Sequence, residues 1–113
     1  MDNTKDDNYF ESKLREDMAY IIKHTKDIDE VAFSNNEILI DSMLFRLIQI
    51  SENGKRLSDE YKDSHPTIPW TDIYGLRNHI VHDYGNVDMS VVFSTLKDDI
   101  PALLEVLSER GDQ

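Results

Sequence analysis

Ile38-Leu39-Ile40-Asp41-Ser42-Met43-Leu44-Phe45-Arg46-Leu47-Ile48-Gln49-Ile50 decides how this chain folds. The run is apolar nearly all round a helical wheel. A helix of this kind must lie at the centre of its fold or meet another subunit as well. Upstream, Ser34-Asn35-Asn36-Glu37 reads as a capping box, with Ser34 at the cap and Glu37 three residues on. The pattern predicts one long helix from about Asn35 to Asp63. Gly54 weakens it by roughly 1 kcal/mol relative to alanine, and Lys55-Arg56-Leu57-Ser58-Asp59-Glu60-Tyr61 forms a more polar second half.

Spacings of three and four recur on either side, and strand alternation is weak. Phe10, Leu14, Met18, Ile21 and Ile22 mark a first helix over about Asn8 to His24, followed by an acidic connection, Lys26 to Glu30. Pro66 and Pro69 mark a tight connection, and Pro69 suits the first turn of a third helix reaching about Tyr84. Ile73, Leu76 and Ile80 are its core stripe, and Gly85 is expected to supply a left-handed C-terminal cap. Asp88 can cap a last stretch carrying Val92, Leu96, Ile100, Leu103 and Leu107, which Pro101 should kink or divide. The expected fold is all-α, an up-and-down antiparallel bundle of four to five helices in one domain over residues 1–113, with 1–7 as a flexible lead-in.

The 113 residues suit one core, with 39% apolar and 31% charged. No run of 18 apolar residues is present, so no membrane span is expected. The acidic start, Met1 to Asp7, does not read as a signal peptide. Cysteine is absent, which excludes disulfides and thiolate metal sites and makes a cytoplasmic setting the expectation. The formal net charge of −11 argues against nucleic-acid binding unless a local cationic spot offsets the overall field.

The third helix carries the chemistry. Arg77-Asn78-His79-Ile80-Val81-His82-Asp83-Tyr84 packs ionisable and polar groups beside a core stripe. Arg77 and Tyr84 share a face two turns apart, whereas His82 stands about 140° round from Arg77. One helix alone therefore does not converge Arg77 and His82, but a second copy across a two-fold axis could. An arginine fork can hold a phosphate, and an imidazole can give or take a proton near neutral pH. RNA brings its own nucleophile, the 2′-hydroxyl. Asn78 can bind phosphate, orient Arg77 or be a structural polar residue, and Asp83 can orient a histidine or face solvent. Lys55 and Arg56 read as a solvated face or an auxiliary phosphate patch. His79-x-x-His82 has the spacing of a metal pair, but no third ligand accompanies it, so no metal is expected. Without further context a pairing of Arg77 with a carboxylate on a neighbouring helix is the favoured reading, His82 could face the helix dipole, and Tyr84 could be a core-edge aromatic.

Arg77-x4-His82-x-Tyr84 resembles the motif of HEPN toxins and, more narrowly, of their HepT subgroup. The similarity extends to Lys55-Arg56-Leu57-Ser58, His65-Pro66-x-Ile68-Pro69-Trp70, Asn86-Val87-Asp88 and Asp98-Asp99-Ile100-Pro101, in the same order. It implies a helical bundle dimerising through its motif helices, and a metal-independent endoribonuclease toxin without a cofactor. Arg77 and His82 would be its catalytic residues. The implied partners are RNA, a second copy of the chain, and a minimal nucleotidyltransferase antitoxin that can transfer AMP onto Tyr84. HEPN domains also serve as non-catalytic nucleotide-binding or accessory subunits, a reading the acidic charge favours. Gly54 and Gly85-Asn86 depart from the pattern, and Gly85 bears on how Tyr84 is presented.

Overall fold

The structure is a computed structural model and describes residues 6–111. Those residues form helices and turns with no strand among them: α1 (Asp7–Thr25), α2 (Glu30–Ser34), α3 (Glu37–Lys55), α4 (Asp59–Ser64), α5 (Trp70–His82), α6 (Met89–Ser94) and α7 (Ile100–Gly111). The expected all-α bundle is present. α1 packs along α3 and α7, α5 lies against α3, and α2 sits between α3 and α6. None of the described helices is long and apolar enough to cross a membrane.

The core stripes are those the spacing predicts. Phe10, Leu14, Met18 and Ile21 of α1 meet Met43, Leu44, Leu47 and Ile50 of α3, and Val92, Leu96, Ile100, Leu103 and Leu107 close the other side. Each such side chain contributes about 1.5–3 kcal/mol by leaving water. The polar tie between α1 and α3 is Asp17, buried 2.8 Å from Arg46, whose guanidinium also lies 3.7 Å over the Tyr20 ring. Burial pushes the Asp17 carboxyl upward, against the opposing pull of Arg46.

Several local expectations are corrected. The lead-in begins folding earlier than residue 8: Asp6 caps α1 by accepting from the Tyr9 amide, and Asp7 accepts from the Ser58 amide at 2.8 Å and its hydroxyl at 2.6 Å. Residues 1–5 of that expected lead-in lie outside the described residues. Ser34 is not the cap of the central helix. It ends α2, which Asp29 caps within the stretch read as a connection, and Asn36 caps α3 through the Leu39 amide. The long second helix is broken at Arg56–Ser58, because Ser58 turns its hydroxyl to the Tyr61 amide and starts α4. That cap stabilises α4 by about 1 kcal/mol, and Asp7 holds Ser58 from the far end of the sequence.

Gly85 does not adopt the left-handed conformation; among the described residues only Asp27 has a positive φ (63°) outside glycine, and no glycine does. α5 ends instead at Asp83, whose amide donates to the His79 carbonyl, and the chain turns through a tight 3₁₀ turn, Tyr84–Asn86. Asp88 caps α6 as expected. The division near Pro101 comes as a wide π-turn over Thr95–Asp99, closed by the Ile100 amide on the Thr95 carbonyl. A proline clashes with the carbonyl four residues back, and the wider turn relieves that clash.

Candidate functional site

α3 and α5 run antiparallel, and two polar contacts pin them together. Glu52, near the C-terminal end of α3, sets Oε2 2.8 Å from Nε of Arg77. Both atoms are sealed from water, although the N–H is not aimed well enough along that line for a hydrogen bond. The contact is therefore an ion pair rather than a directed bond. Toward the N-terminal end of α3, Asp41 accepts a hydrogen bond from the Tyr84 hydroxyl. That bond, with some desolvation and the nearby negative charge of Asp41 and Glu37, raises the Tyr84 phenol above its ordinary value.

Gly54 makes the close packing possible. A Cβ there would sit 3.2 Å from Cζ3 of Trp70, the first residue of α5. The glycine that weakens the helix on propensity thus lets α5 settle against α3, two residues along α3 from Glu52.

Arg77 is held on two sides. Besides Glu52, its Nη1 donates to Oδ1 of Asn78 at 3.1 Å. Its Nη2 has no partner among the described residues and is not sealed from solvent. One guanidinium nitrogen is therefore fixed in place and available to an incoming oxyanion. Asn78 is thus a hydrogen-bond partner of Arg77, the residue beside it in sequence. Asp83 does not meet a histidine; it accepts from Nδ2 of Asn86 at 2.8 Å and shapes the turn after α5. His82 is the last residue of α5 and exposed. Nothing among the described residues brings it to Arg77, and five residues of helix separate them by about 7.5 Å along the axis. His79 is also exposed, and no group of three or more His, Asp or Glu side chains suited to a metal occurs among the described residues.

Sequence reasoning missed Glu52 and Asp41. Both sit on α3, and their partners stand far along the chain, Arg77 on α5 and Tyr84 just after it. The one available signal was spacing: Asp41, Phe45, Ile48 and Glu52 form a stripe of three- and four-residue steps, with Ile38 at its start. Arg77 and Val81 on α5, with Tyr84 in the turn that follows, form the matching stripe. Ile38 (83% exposed), Phe45 (56%) and Val81 (44%) leave apolar surface on these two stripes. By register, Phe45 and Val81 fall between the two pinning contacts.

No solved structure matches this chain. The family model described as "Ribonuclease HepT-like" matches residues 14–110. A protein of Caldanaerobacter subterraneus, printed as a "Putative RNase", is 29% identical over 101 residues, 89% of each chain. Another "Putative RNase", from Methanocaldococcus jannaschii, is 30% identical over 83 residues, 74% of this chain and 76% of its own. A "Probable ribonuclease HepT" of Thermococcus cleftensis is 39% identical over 54 residues, 48% of this chain and 49% of its own. The match over residues 14–110 spans α3, α5 and the whole Arg77–Tyr84 segment, and the chain belongs to the ribonuclease HepT-like family.

Proposed function

We propose that this chain is a metal-independent endoribonuclease, the toxin of a toxin–antitoxin pair, acting as a homodimer. The observation that carries the reading is Arg77, fixed by Glu52 and Asn78 with Nη2 left open, on the same helix as the exposed His82. The guanidinium holds the scissile phosphate and offsets the charge that develops on it. The ribose 2′-hydroxyl attacks phosphorus and the bond to the 5′-oxygen breaks. His82 moves the proton, leaving a cyclic phosphate and a 5′-hydroxyl. Because Arg77 and His82 diverge on one helix, the site is completed across a two-fold axis, with His82 of one copy near Arg77 of the other. The apolar surface of Phe45 and Val81 beside the site supports that pairing.

Tyr84 is the regulatory point. In this reading a nucleotidyltransferase antitoxin transfers AMP from ATP to its hydroxyl: the phenolic oxygen bonds to the α-phosphorus, pyrophosphate leaves, and Asp41, which already accepts the phenol hydrogen bond, takes the proton. The added anion then repels an RNA phosphate.

A second reading is favoured by the net charge of −11: an accessory HEPN subunit that binds nucleotide or a nucleotidyltransferase without cleaving RNA. Incubating the purified protein with RNA, tRNA included, in EDTA decides between them. Cleavage that disappears in His82→Ala and Arg77→Ala supports the nuclease; intact RNA in every sample, with Tyr84 unmodified by mass, supports the accessory subunit.

A further inference from the structure

The α3–α5 seam continues beyond the Glu52–Arg77 pair. One turn further along α3 and one turn back along α5, Lys55 meets Tyr74, with Nζ 5.5 Å from the ring centroid. Lys62 of α4 reaches the same ring from the other side of the helix break, 6.0 Å from the centroid, and its Nζ donates to the Lys55 carbonyl at 3.5 Å. The Tyr74 hydroxyl is sealed from water with no partner among the described residues. Two ammonium groups thus converge on one aromatic ring.

That convergence is unexpected in so acidic a chain. With 23 Asp and Glu against 12 Lys and Arg, a carboxylate is the commonest neighbour a lysine could find. The ion pairs among the described residues use Lys13, Arg15, Arg46 and Arg77, and neither Lys55 nor Lys62 takes part in one. Like charges held together without a counter-ion repel, and a bound anion relieves the repulsion. Arg56, which the sequence groups with Lys55, points elsewhere: its guanidinium lies 6.0 Å over the Phe10 ring of α1.

We infer that Lys55, Lys62 and the Tyr74 ring form a second phosphate subsite, holding an RNA backbone phosphodiester next to the one at Arg77. This rests on the ribonuclease reading and deepens it. The break between α3 and α4 is what folds Lys62 back to the site, so the patch is assembled from three elements. It supplies the local cationic spot that an RNA enzyme of this overall charge requires.

The test uses the full-length protein, a cleavable RNA, and a 2′-O-methyl oligoribonucleotide that binds without being cut. Lys55→Gln/Lys62→Gln is compared with Lys23→Gln/Lys26→Gln, which removes the same charge from α1 and the turn after it. The first pair is expected to weaken binding about tenfold and to lower the slope of log affinity against log salt by about 1 to 2. KM should rise with it while kcat stays within about twofold. The control pair should change binding less than about twofold. If circular dichroism shows the double variant unfolded, Lys55→Gln alone carries the test, with a slope lowered by about 1. Equal behaviour of the two pairs, beside cleavage that depends on His82, overturns the subsite and leaves the nuclease standing. Failure of the parent protein to bind or cleave RNA overturns both.

Discussion

Glu52 reaches across from α3 to within 2.8 Å of Arg77 Nε, and neither atom of the contact is open to water. An arginine bound along its Nε edge cannot swing, so what remains of its fork points in one direction. Glu52→Ala is expected to release it, lowering cleavage by about tenfold, a 1.4 kcal/mol loss. Leaving a sealed guanidinium nitrogen without its counter-charge should also cost about 1–2 kcal/mol of stability. Urea denaturation beside RNA-cleavage rates measures both. Unchanged cleavage in a folded Glu52→Ala protein would show that Arg77 needs no such support.

His82 separates chemistry from stability. It is exposed, and its side chain makes no hydrogen bond or ion pair among the described residues. His82→Ala is expected to abolish cleavage while changing unfolding free energy by less than about 0.5 kcal/mol. A large stability loss on this substitution would place His82 in the fold rather than in the reaction.

The Asp41–Tyr84 bond makes a prediction about pH. The bond favours the protonated phenol, so Tyr84 ionises above the usual tyrosine range. A raised folded-state value contributes stability that is fully present below the unfolded value of about 10 and is lost as pH rises through the folded one. Absorbance titration near 295 nm, with Tyr84→Phe to identify the contribution, should show this phenol shifting downward in Asp41→Asn. If the Tyr84 transition is the same in both proteins, the bond does not persist in solution.

Phe45 and Val81 test the composite cleft. Val81→Asp places a charge on the apolar strip between the two pinning contacts. It is expected to convert a dimer to a monomer by sedimentation at micromolar concentration and to reduce cleavage at least about tenfold, because a charge forced into an apolar interface costs several kcal/mol unless paired. A Val81→Asp protein that stays dimeric, or that cleaves RNA as a monomer, would move the subunit contact elsewhere.

What the sequence made legible was local. The spans of α1 and α5, the core stripes and the Asp88 cap all follow from periodicity and from side chains acting within four residues. The misread parts depend on distant partners. Ser58 breaks the central helix under the hold of Asp7, fifty-one residues earlier. Gly85 needs no left-handed turn because Asp83 and Asn86 close the turn themselves. At the site, Arg77, Asn78, His82 and Tyr84 stand in a recognisable order, but the carboxylates that hold Arg77 and Tyr84 come from α3. No spacing along α5 names them.

Fastening Tyr84 to α3 also changes what a modification there would accomplish. A nucleotidyl group on its oxygen takes away the proton that Asp41 accepts and sets a phosphate beside that carboxylate. The bond then becomes a repulsion, and the turn Tyr84–Asn86 has to lift off α3. Since Asp83 and His82 immediately precede that turn, the end of the motif helix loses its anchor as well. Beside its repulsion of an RNA phosphate, the nucleotide would then also unlatch His82 from its place, and its removal would let the latch close again.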